Sequence, residues 1–226
     1  MYSINEQVGN FILHLEKDGY DLFPFLPNRD WQEGDPILYS GPYWDDREPT
    51  AAISTLLTGK WLPAGENVNK FERAFSKQFD FKHSVMVNSG SSANLVMIAA
   101  LKKYFDWKDG DEILVCACGF PTTINPIIQA GLKPVFVDVD YSDLNWDLDQ
   151  LKSKITDRTV AAFSSPVLGN PYDMDKFLEI IDDAGLKYIA DNCDALGSKW
   201  RDEFLTKHAV AASCSFYPAH HICTIE

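Results

Sequence analysis

The sequence lacks the features that mark several classes of protein. Its 226 residues contain no internal repeat and no low-complexity tract, and 46% of them are hydrophobic, which excludes intrinsic disorder. The longest uninterrupted apolar run, residues 95–101, is far shorter than the roughly 20 residues that a membrane helix requires. The N-terminal residues show no basic stretch before an apolar one, so they do not predict a secretory signal peptide.

Positive charge is also scarce. The chain has 20 Lys and Arg residues against 33 Asp and Glu residues, which gives a formal net charge of −13. Such a chain repels nucleic-acid backbones and anionic lipid surfaces, so neither is expected as a partner. A local basic pocket for a small anion remains compatible with this charge.

Cysteine patterns typical of zinc sites or redox pairs are absent. The five cysteines include no CxxC pair, and Cys116 and Cys118 would point to opposite faces of a strand. We therefore expect reduced, mostly buried thiols in a cytoplasmic protein that binds no metal.

The apolar pattern predicts an aromatic- and proline-rich N-terminal segment, residues 1–45, followed by a domain over residues 46–226. In the N-terminal segment one helix is expected near Val8 to Lys17. Further helices are expected over residues 48–58 and 67–79. From His83 onward, strand-like and helix-like stretches alternate. The six predicted strands are 84–88, 112–118, 134–140, 159–165, 186–191 and 210–216, and the helices between them are 92–105, 121–130, 147–155 and 173–184.

This alternation predicts an α/β fold with a mostly parallel sheet that is covered on both faces. Right-handed crossovers place the carboxyl ends of all parallel strands at one rim, which is where open α/β sheets carry their ligand sites. The turns that follow the predicted strands are therefore where a ligand site is expected.

The turn after the first predicted strand contains Gly90, Ser91 and Ser92 at the start of a helix. Glycine permits close backbone approach, and the free N–H groups of a helix N-terminus attract anions, so this turn suits a phosphate group. The alternative interpretation is that Ser91 and Ser92 are ordinary N-cap residues.

Two further turns carry candidate ligand contacts. Phe120 follows the second predicted strand and would either stack on a planar ring or pack in the core. Asp191 ends the fifth predicted strand, where its carboxylate would either pair with a protonated heterocyclic nitrogen or form an Asx turn or helix cap.

The sixth predicted strand leads into adjacent histidines, His220 and His221. One of them is a candidate general base near neutral pH, whereas adjacent side chains rarely bind the same metal ion. Taken together, the turns predict a pocket for a phosphorylated aromatic cofactor.

Four segments resemble motifs of the DegT/DnrJ/EryC1/StrS family of pyridoxal-phosphate-dependent sugar aminotransferases, in the same order and spacing. The segments are NSGSSANL, GFPTTINPIIQAGLKPVFVDVD, DNCDALGS and SFYPAHHI, and the likeness covers roughly residues 50–226. The resemblance is greatest to the family's branch of CDP-4-keto-6-deoxyglucose 3-dehydratases, which serve lipopolysaccharide O-antigen synthesis. It implies the large domain of a type I pyridoxal-phosphate transferase fold.

The resemblance also implies residue roles. Ordinary members carry a lysine, which binds the cofactor covalently, at the position of His220. Histidine there implies a base and noncovalently held pyridoxamine 5′-phosphate (PMP). Ser215 joins Gly90, Ser91 and Ser92 as the expected phosphate cradle. The remaining expected cofactor contacts are Asp191 at the pyridine nitrogen, Phe120 stacked on the ring and Asp194 near the ring hydroxyl.

The implied reaction is loss of the 3-hydroxyl from a nucleotide-linked 4-keto-6-deoxyhexose, with CDP as the favoured nucleotide. A homodimer and a partner reductase that delivers electrons through a [2Fe–2S] cluster are further expectations from the branch. The alternatives are a GDP-4-keto-6-deoxymannose 3-dehydratase, which needs no cluster, and a nucleotide-sugar aminotransferase.

Family members continue for roughly as long again, with a small C-terminal domain and, in the CDP branch, the cluster cysteines. We therefore expect residues 1–226 to be the N-terminal part of an enzyme whose C-terminal half is missing here. A noncatalytic truncated fragment is the alternative of a different class.

Overall fold

The computed structural model describes residues 3–20, 22, 32–35, 37, 41, 45–60 and 65–224. The chain divides into two compact units, residues 1–78 with 82–84 and residues 79–81 with 85–226. Most of the predicted segment 1–45 beyond its helix lies outside the described residues. The predicted domain boundary at residue 46 stays a prediction.

The described residues of the first unit form three helices: α1 (Ile4–Lys17), α2 (Arg47–Thr58) and α3 (Glu66–Gln78). Helix α1 begins four residues earlier than predicted because Ser3 and Glu6 form a capping box. The Ser3 hydroxyl accepts from the Glu6 backbone N–H, and the Glu6 carboxylate accepts from the Ser3 N–H. Such a cap typically stabilises a helix by about 1 kcal/mol.

The second unit alternates helices and strands. Its elements in chain order are α4 (Gly90–Tyr104), β1 (Glu112–Cys116), α5 (Pro121–Gln129), β2 (Lys133–Val137), α6 (Leu148–Ser153), β3 (Thr159–Ser164), a 3-10 turn (Val167–Gly169), α7 (Met174–Asp183), β4 (Lys187–Asp191), β5 (Lys199–Trp200), β6 (Glu203–Phe204) and β7 (Ala211–Ser213). In the described part of the chain, no helix is both long and apolar enough to span a membrane.

Five strands form one sheet in the order β2-β1-β3-β4-β7, and every neighbouring pair is parallel. Strands β5 and β6 form a separate antiparallel hairpin. The predicted α/β fold with a parallel sheet is confirmed. Strand β1 lies between β2 and β3, so the connections that follow β1 and β3 diverge, which opens a crevice at the carboxyl ends of the strands.

The sheet is covered on both faces, as predicted. In β1, Leu114 and Cys116 belong to a core that also contains residues of α6 and α7, while Ile113 and Val115 belong to a second core with residues of α4 and α5. This split follows from the alternation of side chains along a strand. Burial of each large apolar side chain in these cores contributes about 1.5–3 kcal/mol to the stability of the fold.

The predicted strand over residues 84–88 is wrong, because the structure assigns no strand there and Val85 is 81% exposed. Alternating apolar residues indicate extended backbone, but a strand also needs a partner, and none of the described strands pairs with this segment. The last predicted strand is shorter than expected. Strand β7 ends at Ser213, the residue paired with Asp191, because β4 ends there too.

Candidate functional site

Asp191 is the centre of a buried polar cluster at the carboxyl end of β4, and only 4% of its surface is exposed. Its Oδ2 accepts hydrogen bonds from Asn94 Nδ2 at 2.8 Å and from Thr123 Oγ1 at 2.7 Å. Its Oδ1 accepts longer bonds from the Cys193 backbone N–H at 3.3 Å and the Ser213 hydroxyl at 3.5 Å. All four donors are neutral, so this set of contacts leaves room for a cationic partner.

Both interpretations of Asp191 from the sequence remain compatible with this geometry. The bond from the Cys193 N–H, two residues further on, is that of an Asx turn. The burial of the carboxylate goes beyond what a turn requires, because turn aspartates normally lie at the surface.

Sequence reasoning missed Asn94 and Thr123 as partners of Asp191. The helical spacing could have indicated Asn94. Met97, Ile98 and Leu101 follow it at intervals of three, four and seven residues, which puts Asn94 on the core-facing side of α4. A polar residue on such a stripe needs a buried partner. No comparable signal marks Thr123, which lies in the first turn of α5.

The N-terminus of α4 is capped by Ser89, and the interpretation of Ser91 and Ser92 as N-caps is therefore wrong. Ser89 Oγ accepts from the Ser92 N–H at 3.1 Å, and the helix begins at Gly90, two residues before the predicted start. Ser91 is exposed and Ser92 half-buried. The first N–H groups of a helix have no partner within it, so this end is suited to an anion.

Gly90 lies against Ser215, in the segment that follows β7. A Cβ atom added at Gly90 would lie 2.5 Å from Ser215 Cβ and 3.2 Å from Cys193 Sγ. The absence of a side chain at Gly90 is thus what lets α4 approach this segment. Burial raises the pKa of the Cys193 thiol well above its ordinary value, so it stays protonated at neutral pH.

His220 lies beside Asp194, with 3.2 Å between Nδ1 and Oδ1, and 18% of the His220 side chain and 49% of that of Asp194 are exposed. The backbone N–H of His220 donates to the Tyr217 carbonyl at 2.8 Å. The structure therefore brings Asp194 to the imidazole. Within the described residues, no group of three or more His, Cys, Asp or Glu side chains is arranged to hold a metal ion.

Phe120 directly precedes α5 and is 65% exposed, so the alternative of core packing is wrong. Its carbonyl accepts from the Thr123 N–H at 3.0 Å. Through this turn, Phe120 is joined to the helix that supplies a hydrogen bond to Asp191.

The parallel sheet with polar residues along its rim defines an α/β domain, and solved structures that match it place this domain in the aminotransferase-like fold class. The chain belongs to the DegT/DnrJ/EryC1/StrS aminotransferase family, whose family model matches residues 44–226.

Two 3-dehydratases, one named for a dTDP-sugar and the other for a GDP-sugar, are similar in sequence to this chain. A dTDP-4-dehydro-2,6-dideoxy-D-glucose 3-dehydratase of Saccharopolyspora spinosa is 40% identical over 195 residues, 84% of this chain and 42% of the relative. A GDP-4-keto-6-deoxy-D-mannose 3-dehydratase of Yersinia pseudotuberculosis is 40% identical over 185 residues, 81% of this chain and 47% of the relative.

A crystal structure of GDP-4-keto-6-deoxymannose-3-dehydratase with a trapped PLP-glutamate geminal diamine is 37% identical. It matches with a TM-score of 0.77 over 84% of this chain and 50% of that one. The chain thus spans about half the length of the relatives it matches.

Proposed function

We propose that the protein removes the 3-hydroxyl group from a nucleotide-linked 4-keto-6-deoxyhexose with the help of PMP, and that His220 is the base. The observation that carries this proposal is the contact between His220 and Asp194 at the rim of the sheet. The family resemblance aligns position 220 with the lysine of ordinary aminotransferases, and the Asp194 carboxylate would orient an imidazole at that position.

The residues along the rim fit the cofactor. The four hydrogen bonds that described residues donate to the buried Asp191 carboxylate all come from neutral groups, which suits a protonated pyridine nitrogen as a further partner. The N-terminus of α4 over Gly90–Ser92, together with Ser215, suits the phosphate. The exposed Phe120 offers an aromatic face for stacking on the ring.

When bound, PMP would supply an amine that condenses with the 4-keto group and a protonated ring that stabilises the electron pair left at C4′ when its proton is removed, and that pair would expel the 3-hydroxyl. The carboxylate of Asp194 beside Nδ1 favours the tautomer of His220 with the proton on Nδ1. Nε2 is then the free acceptor for the proton at C4′ of the cofactor. Because imidazole forms no stable Schiff base, His220 leaves the cofactor noncovalently bound.

The comparisons support the reaction class and leave the nucleotide open. The two relatives are equally identical to this chain, yet one is named for a dTDP-sugar and the other for a GDP-sugar. Both names describe a 3-dehydratase of a 4-keto deoxysugar, and that shared chemistry is the part we carry over.

Several finer expectations stay predictions. They are the preference for CDP, the role in lipopolysaccharide synthesis, the homodimer, the partner reductase with its [2Fe–2S] cluster, the cytoplasmic location and the position of Asp194 near the ring hydroxyl. The cytoplasmic location comes from the cysteine pattern, and the others come from the family resemblance.

The test is turnover of CDP-, GDP- and dTDP-linked 4-keto-6-deoxyhexoses by the protein as its gene encodes it, with PMP and with or without a reductase. Mass spectrometry of the sugar product detects the lost hydroxyl. We expect His220→Asn to lower kcat by about 10²–10⁴-fold, as removal of a general base does. His221→Asn, a change in the exposed neighbouring imidazole, is the matched control and should retain activity.

Undiminished turnover by His220→Asn would refute the role of this residue. Bound PMP without turnover of any sugar would favour the noncatalytic alternative. Amino transfer without loss of the 3-hydroxyl would favour the aminotransferase.

A further inference from the structure

The structure assigns Thr123 and Asn94 as positioning residues for the Asp191 carboxylate, which they hold for contact with the cofactor's pyridine N–H. This inference rests on the proposed function, because it presumes that Asp191 faces that nitrogen. Neither residue is expected to touch the cofactor itself. Both act through one carboxylate oxygen.

The two donors converge on the same atom from different helices. Asn94 Nδ2 reaches Asp191 Oδ2 from α4 at 2.8 Å, and Thr123 Oγ1 reaches it from α5 at 2.7 Å. From the described residues, Oδ1 accepts the two longer bonds, at 3.3 and 3.5 Å. Short bonds to one oxygen and long bonds to the other fix the plane of the carboxylate and leave Oδ1 the weaker-bound acceptor, open to a stronger donor.

All three side chains are buried, with exposures of 1% for Asn94, 3% for Thr123 and 4% for Asp191. Helices α4 and α5 also pack against each other. A hydrogen bond between buried groups on packed helices has little freedom to rearrange. The carboxylate therefore has one defined orientation before any ligand arrives, which is the requirement for a preorganised site.

Asn94 is a poor choice for stability alone. Its Oδ1 is buried and has no hydrogen-bond partner among the described residues. A buried acceptor without a partner is destabilising, and an apolar residue at this position of α4 would avoid that penalty. The amide is explained by what its Nδ2 group does for Asp191.

Helix α4 also links two parts of the candidate site. Its first turn, from Gly90 to Ser92, is the proposed phosphate contact, and Asn94 follows in the next turn. One rigid element thus sets the position of the phosphate contact relative to the pyridine contact. This arrangement selects ligands in which an anion and a ring N–H lie a fixed distance apart.

The experiment measures binding rather than turnover. Dissociation constants are determined by calorimetry for PMP and for its 1-deaza analogue, in which C–H replaces the ring nitrogen. The proteins are the wild type, Asp191→Asn, Thr123→Val, Thr123→Ser and Asn94→Leu. Thr122→Val, a change in the neighbouring half-buried threonine, is the matched control, and circular dichroism verifies that each variant is folded.

We expect Thr123→Val and Asn94→Leu each to weaken PMP binding by about tenfold or more, the effect of losing a hydrogen bond to a charged group. Binding of the 1-deaza analogue should change by less than about twofold, since that ligand has no N–H to meet Asp191. Thr123→Ser keeps the hydroxyl and should restore PMP binding. Thr122→Val should bind both ligands as the wild type does.

Suppose that Asp191→Asn weakens binding of PMP more than binding of its analogue. The positioning role is then overturned if Thr123→Val and Asn94→Leu weaken binding of both ligands equally, or do not weaken it at all. If Asp191→Asn changes the dissociation constants of both ligands by the same factor, the assignment of Asp191 in the proposed function fails, and the positioning role fails with it.

Discussion

His220 and Asp194 are in contact, 3.2 Å apart at Nδ1 and Oδ1, although they are 26 positions apart in the chain. The contact follows from the order of strands in the sheet. Strands β4 and β7 are parallel neighbours, so the segments that leave their carboxyl ends meet at one rim. The contact gives the imidazole a defined orientation, which a general base requires.

Asp194→Asn is expected to lower kcat for sugar dehydration by about tenfold or more, with a smaller effect on KM. An asparagine amide donates to Nδ1 and shifts the proton to Nε2, which leaves no acceptor for the proton at C4′ of the cofactor. Steady-state kinetics measures this change. Asp202→Asn, an exposed aspartate, is the control, and equal losses in both variants would contradict the orienting role.

His220→Lys is expected to convert noncovalent cofactor binding into covalent binding. A primary amine at this position forms a Schiff base with pyridoxal phosphate, which borohydride reduces to a stable adduct. Peptide mass spectrometry would locate the adduct at residue 220. His221→Lys should give no adduct, and an adduct at residue 221 in that variant, or none in His220→Lys, would argue against the alignment with the family's lysine.

Gly90→Ala is expected to lower the free energy of unfolding by about 1–3 kcal/mol, because the new Cβ would lie 2.5 Å from Ser215 Cβ. In a Ser215→Gly background the loss should be smaller, since the closest atom is gone. Gly119→Ala is the control, since its Cβ would meet no atom closer than 3.9 Å. Urea unfolding gives the four values of the double-mutant cycle, and additive effects would contradict the predicted clash.

The sequence predicted the parallel sheet well because its strands are short apolar runs between capped helices. It failed at residues 84–88, where the structure has no strand and the apolar alternation carried no information about a pairing partner. Local patterns encode backbone conformation, whereas pairing depends on distant segments.

In the candidate site, too, local properties were predicted from the sequence and contacts between distant residues were not. Asp191 and His220 were predicted from their positions after apolar strands, which is a local property. Their partners Thr123 and Asp194 were not predicted as partners, since those contacts join residues 68 and 26 positions apart. A single sequence names the chemically capable groups but not the hydrogen bonds among them.

The last prediction concerns Glu112, which begins β1 and is 7% exposed. A hydrogen bond from Thr156 at 2.6 Å and one from Lys133 at 2.9 Å lower the pKa of Glu112 below its ordinary value of 4.5. A carboxylate with a lowered folded-state pKa stabilises the fold above its unfolded pKa, and this stabilisation is lost as pH falls through the folded-state value.

Thr156→Val should therefore destabilise the protein by about 1–3 kcal/mol near neutral pH. The difference from wild type should shrink as pH falls below 4.5. Urea unfolding at a series of pH values measures both effects. In a Glu112→Gln background, the effect of Thr156→Val should no longer depend on pH over this range, because the titrating partner is gone. A pH dependence that survives in that background would mean that Thr156 acts through another group.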